Sequence, residues 1–130
     1  MKEILIPISP GELLDKITIL RIKSQRISDA EKLANISKEL GMLDAIWSES
    51  VTQDTIIQQL TDELTAINES LWDIEDDIRE EERNKRFGER FIELARSVYV
   101  TNDRRAEAKK KINLHLGSEI VEEKSYQDYS

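Results

Sequence analysis

The chain has 130 residues with 27 acidic and 19 Lys or Arg side chains, which gives a net charge of −8 and a pI near 4.8. This length holds one domain with a real core, residues 1–130, and is short for two. The acidity disfavours non-specific adhesion to nucleic acid or to an anionic membrane. The absence of Cys excludes disulfides, thiolate nucleophiles and zinc–thiolate sites.

Residues 3–8, β-branched or apolar apart from Glu3, prefer an extended backbone, with Pro7 turning Ile6 away from helix. The run is too short for a signal peptide, and no stretch reaches membrane-spanning length. A soluble cytoplasmic protein is expected, without membrane insertion. Ser9-Pro10-Gly11-Glu12 then reads as a helix start, with Ser9 as cap, Pro10 at the first helical position and Glu12 closing a capping box. The first helix runs to about Arg26, with Leu13, Leu14, Ile17, Leu20 and Ile27 as its apolar stripe.

Ser28-Asp29-Ala30-Glu31 repeats the capping-box spacing and predicts a second helix. Its seam is Leu33, Ile36, Leu40, Leu43 and Trp47, at alternating steps of three and four. Ser48 to Gln53 reads as the connection. Ile56, Leu60, Leu64, Ile67, Leu71, Ile74 and Ile78 mark a third helix of about thirty residues, some 45 Å long, which needs a partner of similar length. A fourth helix from Glu89 to Leu116, ended by Gly117 as a natural C-cap, supplies it. With few Gly and Pro and 35% charged residues, the expected fold class is all-α. The architecture is an antiparallel helical bundle built on a long helical hairpin that turns near Gly88, with short extended N- and C-terminal segments.

The inward face of the fourth helix carries an irregularity. Phe91, Leu94, Ala95 and Val98 continue at helical spacing into Asn102, Arg105 and Lys109 before Ile112 and Leu116 restore apolar character. A cation on an inward face needs a partner, a path to water or a ligand. On the third helix, Asn68, Trp72, Glu75 and Arg79 recur along one flank, and Leu71 falls roughly level with Asn102. The first helix adds Glu12, Lys16 and Lys23 beside its stripe. Together these ten residues have an excess of positive charge. They point to an interhelical pocket for an anionic metabolite, phosphate or carboxylate, clamped by Arg105 or Arg79 and walled by Trp72.

Two other readings compete. In one, the charges form a purely structural salt-bridge network, and the heptad seams serve a protein partner or a homodimer. In the other, the protein is an enzyme acting on a carboxylated or phosphorylated metabolite, with Glu75 or Glu12 as the first acid–base candidates. The acidic run from Asp73 to Glu82 reads as a solvated face, and the lone His115 makes a poor transition-metal site, so neither metal nor cofactor is expected. The basic block Arg104-Arg105 with Lys109-Lys110-Lys111 lacks the aromatic interleaving of a nucleic-acid surface.

The segments EILIPISPGELLDKITILRIKSQRI, NESLWDIEDDIR, FIELARSVYVTNDRRAEAKKKIN and GSEIVEEKSY together resemble a small bacterial family classed as a domain of unknown function. The likeness spans almost the whole chain and implies kinship in fold without a mechanism. The first helix is also distantly similar to that of the all-helical chorismate mutases, with Leu13, Ile17, Leu20 and Arg26 aligning. The later Arg-Glu motif of that family is missing, so no catalytic residue carries over and the likeness is an analogy for how a bundle uses Lys16, Arg79 and Arg105.

Overall fold

A computed structural model describes residues 1–130 and contains four helices and no strand. They are α1 (Pro10–Arg26), α2 (Ala30–Ser50), α3 (Thr55–Arg83) and α4 (Glu89–His115). The all-α bundle on a long hairpin is as expected. No helix is long and apolar enough to cross a membrane. The extended residues 1–7 pair with nothing, and Ile4, Leu5 and Ile6 are exposed.

The first four N–H groups of α1 have no partner within the helix, and each is accounted for. Pro10 has none. Gly11 donates to Asn113 Oδ1 at 2.7 Å, Glu12 to the Ser9 hydroxyl at 3.2 Å and Leu13 to the Ser9 carbonyl at 3.1 Å. Glu12 does not close a capping box, because its carboxylate turns instead to Lys109 of α4, 2.7 Å away. The second expected box is also incomplete: Asp29 caps α2 by position but makes no side-chain cap hydrogen bond.

One further boundary differs from expectation. α2 runs on to Ser50, so the connection shrinks to residues 51–54, and Asp54 caps α3 by accepting from Ile57 N–H at 2.7 Å. The hairpin turns over residues 84–88, near Gly88 as expected, although Lys85 and not the glycine takes the left-handed backbone. Lys85 adopts the left-handed φ of 56°, while Lys85 N–H and Arg86 N–H return to the Glu82 and Glu81 carbonyls. The end of α4 repeats this motif with the residue that favours it: Gly117 has φ 65°, and Gly117 and Ser118 return to the Leu114 and Asn113 carbonyls.

α1 packs against all three other helices, whereas α2 lies on α1 and not along the hairpin. The core gathers around Leu13, Leu14, Ile17, Trp47, Ile57, Leu64, Ile67, Ala108 and Ile112. At 17 residues α1 is about 26 Å long, against about 43 Å for the 29 residues of α3. Its start is tied to the end of α4 by the Gly11–Asn113 bond, and its end reaches mid-α3, where Arg26 meets Asp73 at 2.5 Å. The far half of the hairpin therefore stands beyond α1, and a notch forms where α1 stops.

Candidate functional site

Asp15, in the first half of α1, lies behind two side chains that line this notch, Asn68 and Arg105. Its side chain is 1% exposed, yet it belongs to a helix start rich in apolar neighbours. Isolated in that position, a carboxylate would be costly; here it is fully engaged. Arg105 of α4 grips it in bidentate fashion, Nε to Oδ1 at 2.9 Å and Nη2 to Oδ2. Asn68 of α3 donates to Asp15 Oδ1 at 2.9 Å and to the Thr18 hydroxyl at 3.0 Å, and that hydroxyl donates to the Asp15 carbonyl at 2.8 Å. No buried polar side-chain atom lacks a partner. Three helices thus meet on one carboxylate, which fixes their register. Hydrogen bonding to Asp15 raises the Arg105 pKa despite burial, so the guanidinium stays charged.

One turn further along α4, Lys109 stands between Glu12 at 2.7 Å and Glu122 of the C-terminal segment at 3.1 Å. Burial pulls its ammonium down, but the bonds to Glu12 and Glu122 outweigh that and leave the pKa raised. At the same level α1 and α4 are in close contact. A side chain at Gly11 would run into the Lys109 carbonyl oxygen and come within 2.9 Å of Asn113 Oδ1. Glycine is required at this position for the approach of two backbones.

Seven of the ten predicted residues line one open groove of about 500 Å³ at the notch: Lys23 from α1, Asn68, Trp72, Glu75 and Arg79 from α3, and Asn102 and Arg105 from α4. Glu12 and Lys109 pair with each other beside it, and Lys16 is exposed and stands outside. The expected excess of positive charge is not present: Asp15, Asp76 and Glu122 supply counter-charges the sequence pattern did not count. Arg79 is paired with Glu75 on the surface, so Arg105 is the only guanidinium held from beneath. One face of Trp72 is already covered by Arg26, 5.8 Å from the ring centroid. Lys23 has no carboxylate partner, although it lines the groove.

The sequence reading missed Asp15, Thr18, Asn113 and Gly11. The signal was available in the spacing: Gly11, Asp15, Thr18 and Ile22 follow steps of four, three and four, and all four are buried. The charged stripe Glu12, Lys16, Lys23 is the neighbouring row, one residue around the helix. The remaining weak signals find local partners. His115 Nε2 lies 2.9 Å from Asp54 Oδ2, joining the end of α4 to the cap of α3. In the acidic run, Asp77, Glu80, Glu81 and Glu82 face Arg90, Arg83, Arg86 and Lys85, and no cluster of carboxylates is arranged to hold a metal ion.

A family model described as a family of unknown function, DUF6165, matches residues 4–129. The chain belongs to that family. The match takes in the exposed residues from Ile4 and the C-terminal segment up to Tyr129, so the extended ends are part of the shared unit together with the four helices. Neither a curated protein nor a solved structure matches the chain.

Proposed function

We propose that this family member is a small helical binding protein that takes the carboxylate or phosphate of a metabolite in the notch where α1 stops along the hairpin. The half-used guanidinium of Arg105 carries this reading. Asp15 engages Nε–H and one Nη2–H, which leaves three of the five N–H donors for another acceptor. Its side chain is 30% exposed in the groove. A guanidinium held at one edge by a buried carboxylate has little rotamer freedom left to lose when an anion meets its other edge. Lys23, from α1, adds a second, unpaired cation to the groove. The volume is in the range of small-molecule sites, and Asn102 and the free part of Trp72 offer polar and aromatic contacts to the remainder of a ligand. Glu75 and Glu12, the acid–base candidates, are both engaged in ion pairs, so binding and not turnover is proposed.

The test is thermal shift against a library of anionic metabolites, comparing wild type with Lys23→Gln. Arg105→Ala is the poorer probe, because it strands the buried Asp15. Lys23→Gln should leave the ligand-free Tm unchanged and remove most of the shift produced by any binder. If no anion raises the Tm of the wild type, the reading fails.

A second reading rests on a different observation. The chain exposes 9220 Å², where a compact monomer of 15.1 kDa exposes about 7,100 Å². The surplus includes Phe87 and Ile92 at the hairpin tip and Ile4, Leu5 and Ile6 near the N-terminus. An interaction module, engaging a protein partner or a second copy, would use this surface. Light scattering across a hundredfold range of concentration tests the second-copy form: a constant monomer mass removes it.

A further inference from the structure

After Gly117 the chain doubles back along α4. Glu122 meets Lys109 at 3.1 Å, Glu123 meets Lys110 at 3.4 Å and Lys124 meets Asp103 at 2.8 Å. Tyr129 then packs edge-on against Tyr99 with ring centroids 5.1 Å apart. Between this strap and α4 runs an open cleft of about 1040 Å³ that shares Asn102, Arg105 and Lys109 with the proposed site and its border. Beyond Ser118 no backbone–backbone hydrogen bond ties the strap down, and none of its residues is buried. Exposed ion pairs of this kind each hold weakly and are screened by salt.

The two carboxylates on Lys109 differ in the same way. Glu12 is 32% exposed and anchored in the first turn of α1, while Glu122 is 66% exposed on a segment with no firmer hold. We infer that the strap is a built-in stand-in for the ligand: Glu122 occupies at Lys109 a position that an incoming carboxylate or phosphate takes, and the strap swings off α4 beyond the Gly117 cap when it does. This inference rests on the anion-binding reading above. It adds that binding is a competition with the protein's own C-terminal segment. The family match extends through residue 129, so the competing segment belongs to the unit and is not an appendage.

Two variants of the full chain separate the strap from simple electrostatics. Glu122→Gln removes a negative charge beside Lys109 and would favour an anion even without a strap. Lys124→Gln removes a positive charge, which by itself disfavours an anion, yet it loosens the strap by leaving the Tyr129 hydroxyl as its one bond to Asp103. The experiment is calorimetric titration with pyrophosphate and, separately, with citrate at low salt, together with ¹⁵N heteronuclear NOEs of residues 119–130. Pyrophosphate and citrate distinguish phosphate from carboxylate as the preferred group. Both variants should bind about two- to fivefold more tightly than wild type, as expected for the loss of one exposed ion pair. Saturating the wild type should lower the strap NOEs to the values of a free chain end.

Equal binding by all three proteins, with strap NOEs unmoved, overturns the strap and leaves the anion site standing. Weaker binding by Lys124→Gln alongside tighter binding by Glu122→Gln also overturns it, in favour of plain charge effects. A strap whose NOEs are already those of a free end before any ligand is added overturns it too. Binding by none of the three proteins removes both the site and the competition.

Discussion

Between Thr55 and Trp72 the hairpin is covered by α1, and Ile57, Leu64 and Ile67 on that stretch of α3 are almost wholly out of water. Beyond Trp72 the same seam continues through Ile74 and Ile78 against Phe91 and Val98, but all four keep partial exposure. Leu94 is the buried apolar residue on the α4 side. The near half is thus held by a three-sided apolar core locked by Asp15. The far half is a two-helix arm whose buried polar centre is Glu81, 7% exposed, with Arg86 Nε at 2.5 Å and Arg90 Nε at 3.4 Å. One sequence pattern, steps of three and four, gives two environments because a third helix covers only one of them. The candidate site lies at the border, where side chains have rigid support on one side and water on the other.

Substitutions in matched pairs sharpen this contrast. Ile17→Ala, at a position with no exposure, should cost about 2–5 kcal/mol in denaturant unfolding. Ile78→Ala on the arm should cost about 1 kcal/mol, since less area returns to water. Equal losses would mean that the arm is covered in solution by something this chain does not supply. Asp15→Ala should cost about 3 kcal/mol, because it leaves Arg105 without its counter-ion and Asn68 with only the Thr18 hydroxyl as acceptor. The loss should be smaller in an Arg105→Ala background, as two members of one network are not additive.

Gly11→Ala should cost about 1–3 kcal/mol by forcing α1 away from the Lys109 carbonyl. Gly41→Ala, where nothing lies within 4 Å, should be stabilising by up to about 1 kcal/mol. The raised pKa of Lys109 makes a prediction in pH. Its contribution, about 1 kcal/mol, is fully present below its ordinary value of 10.5 and is lost as the pH rises through the higher folded value. The stability difference between wild type and Lys109→Gln should therefore be flat at neutral pH and vanish only in strong alkali. Smallest of all, Lys85→Gly at φ 56° should raise stability by about 0.5–1 kcal/mol through relief of left-handed strain.

The helices themselves were legible because length and apolar period agree: α3 and α4 carry unbroken steps of three and four, and Gly117 ends α4 as its composition suggests. What escaped were features set by tertiary contact. A lysine, not the nearby Gly88, takes the left-handed turn, since the returning hydrogen bonds to Glu81 and Glu82 compensate its strain. Glu12 leaves its capping role because the Lys109 ammonium, 2.7 Å from its carboxylate, is a charged donor and a backbone amide is a neutral one. On α1, burial against three helices leaves little contrast between its faces. The polar row Gly11–Asp15–Thr18 therefore hides among apolar neighbours, while the charged row beside it draws attention. Six of the seven groove residues were reachable from α3 and α4 spacing and Lys23 from the charged row of α1, yet the carboxylate that organises them was not, because an isolated Asp in a helix start ordinarily signals a cap.

The most direct measurement is the side-chain NMR signal of Arg105. In wild-type protein the Arg105 Nε–H should exchange slowly with solvent, since it is donated to the buried Asp15. It should keep its chemical shift when pyrophosphate is added, while the Nη signals of the same guanidinium move. An Arg105 Nε–H that exchanges as fast as that of the exposed, unpaired Arg104, or Nη signals unaffected by any anion, would contradict the account.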